Sequence, residues 1–242
     1  MNKAAGIFLL PLFLFFIPGL LHAQTDQLGG WHIANLNYHL TKSWILFGEV
    51  QARSQKLTGD FFYHELKGGV SYAFPQRNSL FIGLGDYVTY PYPGNFKSPA
   101  SVKEFRIWEQ FILNNNINRV KIEHRYRIEQ RWLNGVYRDR FRYRLNPIVP
   151  LNHNTMAPRT LFLTAFDEVF FTSKSPYFER NRFFAGTGYE FSKGFTFQAG
   201  FIRQFDYRVP TGSSGKNFIQ TSFFFSVDHT DSKREQHPST ID

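Results

Sequence analysis

From Arg119 to Leu145 ionic and apolar residues take turns along the chain. Lys121, Glu123, Arg125, Arg127, Glu129 and Arg131 share one parity, and Val120, Ile122, His124, Tyr126, Ile128, Gln130 and Trp132 share the other. The next run repeats the pattern, with Arg138, Arg140, Arg142 and Arg144 set against Phe141, Tyr143 and Leu145. Successive side chains of a strand point to opposite faces. The spacing therefore predicts strands with one ionised face and one apolar, aromatic face. Similar runs are read at 31–40, 44–54, 62–74, 79–91, 103–114, 119–132, 137–149, 160–171, 181–192, 195–207 and 217–227. Turn residues separate them, and helical periodicity is weak after the first 23 residues.

Two architectures use such strands. A water-soluble sandwich buries the apolar face, whereas an outer-membrane barrel turns it to lipid and lines its lumen with the polar face. Three features favour the barrel. Most runs reach the roughly 9–11 residues that cross a bilayer at a tilt. The connections alternate in length: short at 41–43, 75–78, 114–118 and 193–194, longer at 55–61, 92–102, 133–136, 172–180 and 208–216, with 151–158 a long exception at a short position. Aromatic residues make up 19% of the chain, with 29 Phe, which suits a lipid-facing wall with aromatic girdles. The expected fold is an all-β, antiparallel, up-and-down transmembrane barrel. Eleven runs are readable, yet single-chain bacterial barrels have even strand numbers. Twelve strands are expected, with ten as the alternative. A merged pair of strands, a run outside the barrel, or a short strand in 24–30 would restore the parity.

The ends set the expected location. Met1-Asn2-Lys3, the apolar run Ile7–Leu21 and Leu21-His22-Ala23 read as a signal peptide cleaved after Ala23. That run is too short, and too rich in proline, for a spanning helix. The expected organisation is a signal peptide at 1–23, a barrel at 24–228 and a polar periplasmic tail at 229–242, in the outer membrane of a Gram-negative cell. The final run, NFIQTSFFFSV, places Phe223, Phe225 and Val227 on one face, like the terminal signal read by the barrel assembly machinery. A mean hydropathy of -0.35 does not oppose this, because alternation averages out. The absence of cysteine removes disulfides and thiolate metal sites. Net charge is +9, or +8 once Lys3 leaves with the signal. The surplus favours anionic partners: outer-membrane lipid, lipopolysaccharide and small anionic solutes. Nucleic acid is not expected as a partner of an exported chain.

The segments EFRIWEQ (104–110), EHRYRIEQRW (123–132), RDRFRYRL (138–145), DEVFF (167–171) and ERNRFFAGTGYEFSKGFTFQAGFIRQ (179–204) follow in order. Together they resemble the bacterial outer-membrane family catalogued as domain of unknown function 2490. The resemblance covers nearly all of 24–242. Its most specific parts are the arginine-rich central strands and the NR-x-x-x-G-x-G-Y segment. It implies an outer-membrane β-barrel, no known activity and no functional residues to carry over. The polar tail after the last strand departs from the family pattern.

A barrel must enclose its charged face, since each ionised group facing lipid at the midplane costs about 2–4 kcal/mol. The candidate lumen network comprises Glu104, Arg106, Lys121, Glu123, Arg125, Arg127, Glu129, Arg131, Arg138, Arg140, Arg142, Arg144, Glu168, Arg180, Arg182 and Glu190, with Glu49, Arg53, Glu65 and Lys67 on the same parity of earlier strands. Its expected role is structural, with Arg and Glu pairing across neighbouring strands and filling a narrow interior. The alternative is an anion-selective passage or an acidic-ligand site, because basic rings favour anions. A lipid hydrolase is the second alternative. His64, His124, His153, Ser71, Ser173 and Ser222 are available, but none sits in a distinctive motif. No catalytic residue, cofactor or metal site is assigned. Gly83, Gly85, Gly186 and Gly188 lie inside strand patterns with no helix after them, so they read as bends or close packing rather than a phosphate loop.

Overall fold

The computed structural model describes residues 28–74, 78–208 and 212–230. The expected signal peptide (1–23) and most of the expected tail lie outside the described residues. Among the described residues all regular structure is strand: β1 (Gly29–His39), β2 (Trp44–Lys56), β3 (Gly59–Ala73), β4 (Ser79–Thr89), β5 (Val102–Ile117), β6 (Val120–Leu133), β7 (Val136–Pro150), β8 (Thr160–Phe171), β9 (Phe178–Ser192), β10 (Phe195–Arg208) and β11 (Gly212–Asp228). They form one closed barrel in which each strand pairs with its sequence neighbours and β1 pairs with β11.

The expected twelve or ten strands are corrected to eleven. In an up-and-down meander of odd number the first and last strands run the same way, so closure must be parallel. It is: β1 and β11 pair in parallel from Gly29↔Phe218 to His39↔Asp228. No run was merged, and Gly29-Gly30 belong to β1 rather than to a separate short strand. An odd count also places the start of β1 and the end of β11 at opposite ends of the barrel. The start of β1 and the β4–β5 link mark what we call the loop end. The end of β11 and the β1–β2 link mark the turn end.

The expected contrast in connection length shrinks for a related reason. Strands run past the positions where turn residues suggested an end, so 55–61 contracts to Leu57-Thr58 and 133–136 to Asn134-Gly135. Positive φ at Asn134 (47°) and Gly135 (85°) lets this tight hairpin close.

The two faces are inverted relative to a soluble fold. Ile82 (63%), Leu66 (60%) and Leu84 (55%) are exposed on the outside, whereas Arg144 and Glu168 are 0% exposed inside. Aromatic pairs band the outer wall near both ends. Near the turn end lie Trp44–Tyr72 (4.9 Å), Tyr189–Phe191 (4.8 Å) and Phe195–Phe225 (5.2 Å). Near the loop end lie Phe105–Trp132 (6.0 Å), Trp132–Tyr137 (5.6 Å) and Phe178–Tyr207 (4.6 Å). His124 faces outward and shares a hydrogen bond with the Tyr143 hydroxyl (2.9 Å).

Apolar residues also enter the lumen, which a strict alternation of ionic and apolar faces does not foresee. Trp31, Ile33, Phe166, Phe184, Ile202 and Phe218 form one buried cluster, and Phe47, Phe81, Tyr87 and Trp108 another. The strand glycines make room for these rings. A Cβ on Gly83 would stand 2.4 Å from the Phe81 ring and 2.5 Å from Trp108, and one on Gly188 would stand 2.2 Å from Phe162. These are the close approaches that glycine permits.

Candidate functional site

The lumen-facing side chains of β5 to β9 build an ion-pair lattice around two carboxylates. Glu129 on β6 is met by Arg140 (2.5 Å), Arg142 (2.7 Å), Arg127 (3.3 Å) and Arg106 (4.0 Å). Glu168 on β8 is met by Arg125 (2.5 Å), Arg142 (2.8 Å) and Arg182 (3.9 Å). Arg142 thus joins the two, donating from Nη1 to Glu129 and from Nε and Nη2 to Glu168. The carboxylates are needed because the register sets like charges side by side. Arg125 faces Arg144 and Arg127 faces Arg142 across the β6–β7 pair. Such neighbours repel, and the lattice holds them only because each carboxylate accepts from several guanidinium groups at once.

Toward the loop end, Glu104 accepts from Arg106 (2.6 Å) and Arg131 (2.5 Å). Arg180 pairs with Asp206. Toward the turn end, Arg144 donates to Glu123 (2.9 Å). A smaller cluster on β2 and β3 joins Lys67 to Glu49 and to Glu65 (2.6 Å), and Arg53 to Glu65 (3.6 Å). The arginine surplus is further accommodated by neutral groups. Arg127 donates to Gln110 (2.9 and 2.7 Å) and Arg182 to Gln204 (2.9 Å). Guanidinium groups also lie over aromatic faces: Arg142 over Phe170 (4.5 Å), Arg106 over Tyr87 (3.6 Å) and Arg53 over Trp31 (3.5 Å).

Not every residue read from the sequence joins this lattice at its centre. Arg138 shares the parity and sits opposite Arg131, but it is exposed at the loop end. Lys121 is only half-buried, near the turn end. Glu190 is buried toward the turn end, in register with Thr160 and Thr196. Two acids in the lattice were not foreseen. Asp206 shares the parity of Ile202 and Gln204, so alternation along β10 could have found it. Glu179 could not be found that way. The β8–β9 register slips so that Phe170 faces Arg180 and Phe171 faces Phe178, leaving Glu179 as the extra residue of a bulge. It reaches Arg131 (3.3 Å) and Arg140 (3.7 Å). A second bulge, between Arg53↔Tyr63 and Ser54↔Phe61, leaves Phe62 as the extra residue, and Phe62 packs against the Trp31 cluster.

The inner wall is therefore packed rather than open at its middle, since Arg125, Arg127, Arg140 and Glu129 are at most 2% exposed. Side chains lining a wide aqueous channel would be wetted. The family model described as "Protein of unknown function (DUF2490)" matches residues 28–214, from just before β1 into β11. The chain belongs to that family. No curated protein and no solved structure matches it. Membership of DUF2490 brings no activity with it, so the functional reading rests on the geometry of this lumen.

Proposed function

We propose that the protein spans the outer membrane of a Gram-negative cell as a closed-lumen barrel, held rigid by its internal ion pairs and carrying no ionic current. The inversion of faces supports this most directly: an exposed apolar wall around a buried charged interior. In water that wall would leave many large apolar side chains unpartnered, whereas against acyl chains it is matched. The aromatic bands near both ends fit the two membrane interfaces. Outer-membrane lipid, including lipopolysaccharide, is then the first partner of the outer wall. The barrel assembly machinery is the partner that delivers it, with the outward Phe223 and Phe225 as its handle. A narrow anion passage is the second reading and draws on the arginine surplus. Burial of the central arginines favours closure.

The deciding experiment uses the refolded mature chain and outer-membrane fractions together. Unheated protein should migrate faster than heated protein on a denaturing gel, should stay with the outer membrane, and should produce no current steps in planar bilayers. A freely dissolved mature chain would remove the membrane reading. Anion-selective steps would replace closure with the pore.

Topology offers a separate test. The chain has no native cysteine, so Leu28→Cys and His229→Cys report each end cleanly. A membrane-impermeant maleimide should label one of the two in intact cells and the other only after permeabilisation. Labelling of both from outside, or of neither, would mean an even number of crossings and would overturn the eleven-strand barrel.

A further inference from the structure

We propose that His39, Ser226 and Asp228 form a serine-hydrolase centre at the turn-end mouth of the lumen, acting on carboxylic esters with a short apolar acyl group. The inference stands on the barrel fold and does not depend on the membrane reading. The parallel seam creates it. Pairing β1 with β11 sets Asn37 beside Ser226 and His39 beside Asp228. All four have the parity of the buried lumen residues Ile33 and Ser222. His39 Nε2 lies 3.3 Å from Ser226 Oγ. His39 Nδ1 lies 3.9 Å from Asp228 Oδ2, with both side chains largely sheltered at 12% and 13% exposure. The other carboxylate oxygen, Oδ1, accepts from Thr230 N (2.8 Å) and Thr230 Oγ1 (2.7 Å). That pins the carboxylate with Oδ2 toward the ring.

The order of groups is nucleophile, base and orienting acid, the arrangement by which a serine hydroxyl is activated. Contacts of this kind tighten when a substrate binds. With its proton on Nδ1, facing Asp228, the imidazole presents a basic Nε2 to Ser226. Ser226 Oγ attacks the ester carbonyl, its proton passes to Nε2, and the carbonyl oxygen becomes an oxyanion. Asn37 is the assigned donor to that oxyanion; one of its amide hydrogens goes to Asn35 Oδ1 (3.2 Å), and the other is the one used. Collapse breaks the ester C–O bond, and the leaving alkoxide takes the proton from Nε2. Water, deprotonated by the same nitrogen, then attacks the acyl-serine; Ser226 recovers its proton and the carboxylic acid departs. Deeper on the same walls lie Phe224, two residues before Ser226, and Phe47, in register with Asn37; both are buried. They supply an apolar floor for a short acyl group.

The test uses the refolded full-length mature barrel, with its heat-shifted gel mobility as proof of folding. A fluorophosphonate probe should add to the peptide containing Ser226, and p-nitrophenyl butyrate should be hydrolysed. Ser226→Ala should abolish labelling. His39→Gln should slow hydrolysis roughly 10²–10⁴-fold while leaving the mobility shift intact. Asp228 is a positioning residue, so Asp228→Asn should lower kcat with KM little changed. If the three residues merely clasp the seam, the folded parent will neither react with the probe nor turn over the ester, and the proposal falls. Equal labelling of Ser226→Ala and parent would also overturn it.

Discussion

Arg142→Glu is expected to destabilise the barrel more than any other single charge change in the lumen. The parent side chain bridges Glu129 at 2.7 Å and Glu168 at 2.8 Å. Reversal deletes both contacts and sets a third carboxylate between the two. Breaking a buried pair by removing one partner costs about 3–5 kcal/mol, and the added repulsion works in the same direction. The urea midpoint of refolded protein should fall sharply, and the unheated band should shift to the unfolded position at a lower temperature. Arg142→Met should be milder, because Arg140, Arg127 and Arg125 still neutralise the two acids. A reversal variant as stable as its parent would mean that the lattice contributes nothing to holding the wall together.

Gly186→Val should block assembly by a different route. A Cβ there would lie 2.4 Å from the backbone oxygen of Ala199 and 2.7 Å from the Phe184 ring. The ring could turn, but the carbonyl belongs to the β9–β10 ladder and cannot yield without breaking pairing. Phe184 lies over Gly200 as well, since a Cβ at that position would stand 2.6 Å from the same ring. It also stacks on Phe166 at 5.1 Å. Overpacking costs about 1–3 kcal/mol, and a backbone clash puts this change at the top of that range. The measurement is the fraction of refolded protein that regains heat-modifiable gel mobility. Phe184→Ala added to Gly186→Val should restore little of it, because the carbonyl contact remains. Full recovery in the double variant would locate the constraint in the ring instead.

The limits of alternation are clearest in particular residues. Glu123, Arg125, Arg127, Glu129 and Arg131 were legible as one face because every second position of β6 is ionic. Trp108 and Phe184 share the parity of Arg106 and Arg182, so alternation alone turns them inward, whereas Trp31 was not legible as a lumen residue because β1 carries no Asp, Glu, Lys or Arg to mark its inner face. Arg138 has the right parity and still meets water, because parity says which face a side chain takes but not how far along the barrel it sits. Glu179 has the wrong parity and still enters the lumen, because the β8–β9 bulge turns it inward.

By itself the sequence determined the strands, the charged and apolar faces and the family, all of which follow from period-two patterning and local motifs. Only the tertiary structure decided the odd strand count, the parallel β1–β11 seam, the packed middle of the lumen and the meeting of His39 with Ser226 and Asp228. The physical reason is range. Which face a side chain occupies is set by its immediate neighbours, whereas closure depends on how the two ends of a meander meet, and that pairing joins segments separated by most of the chain.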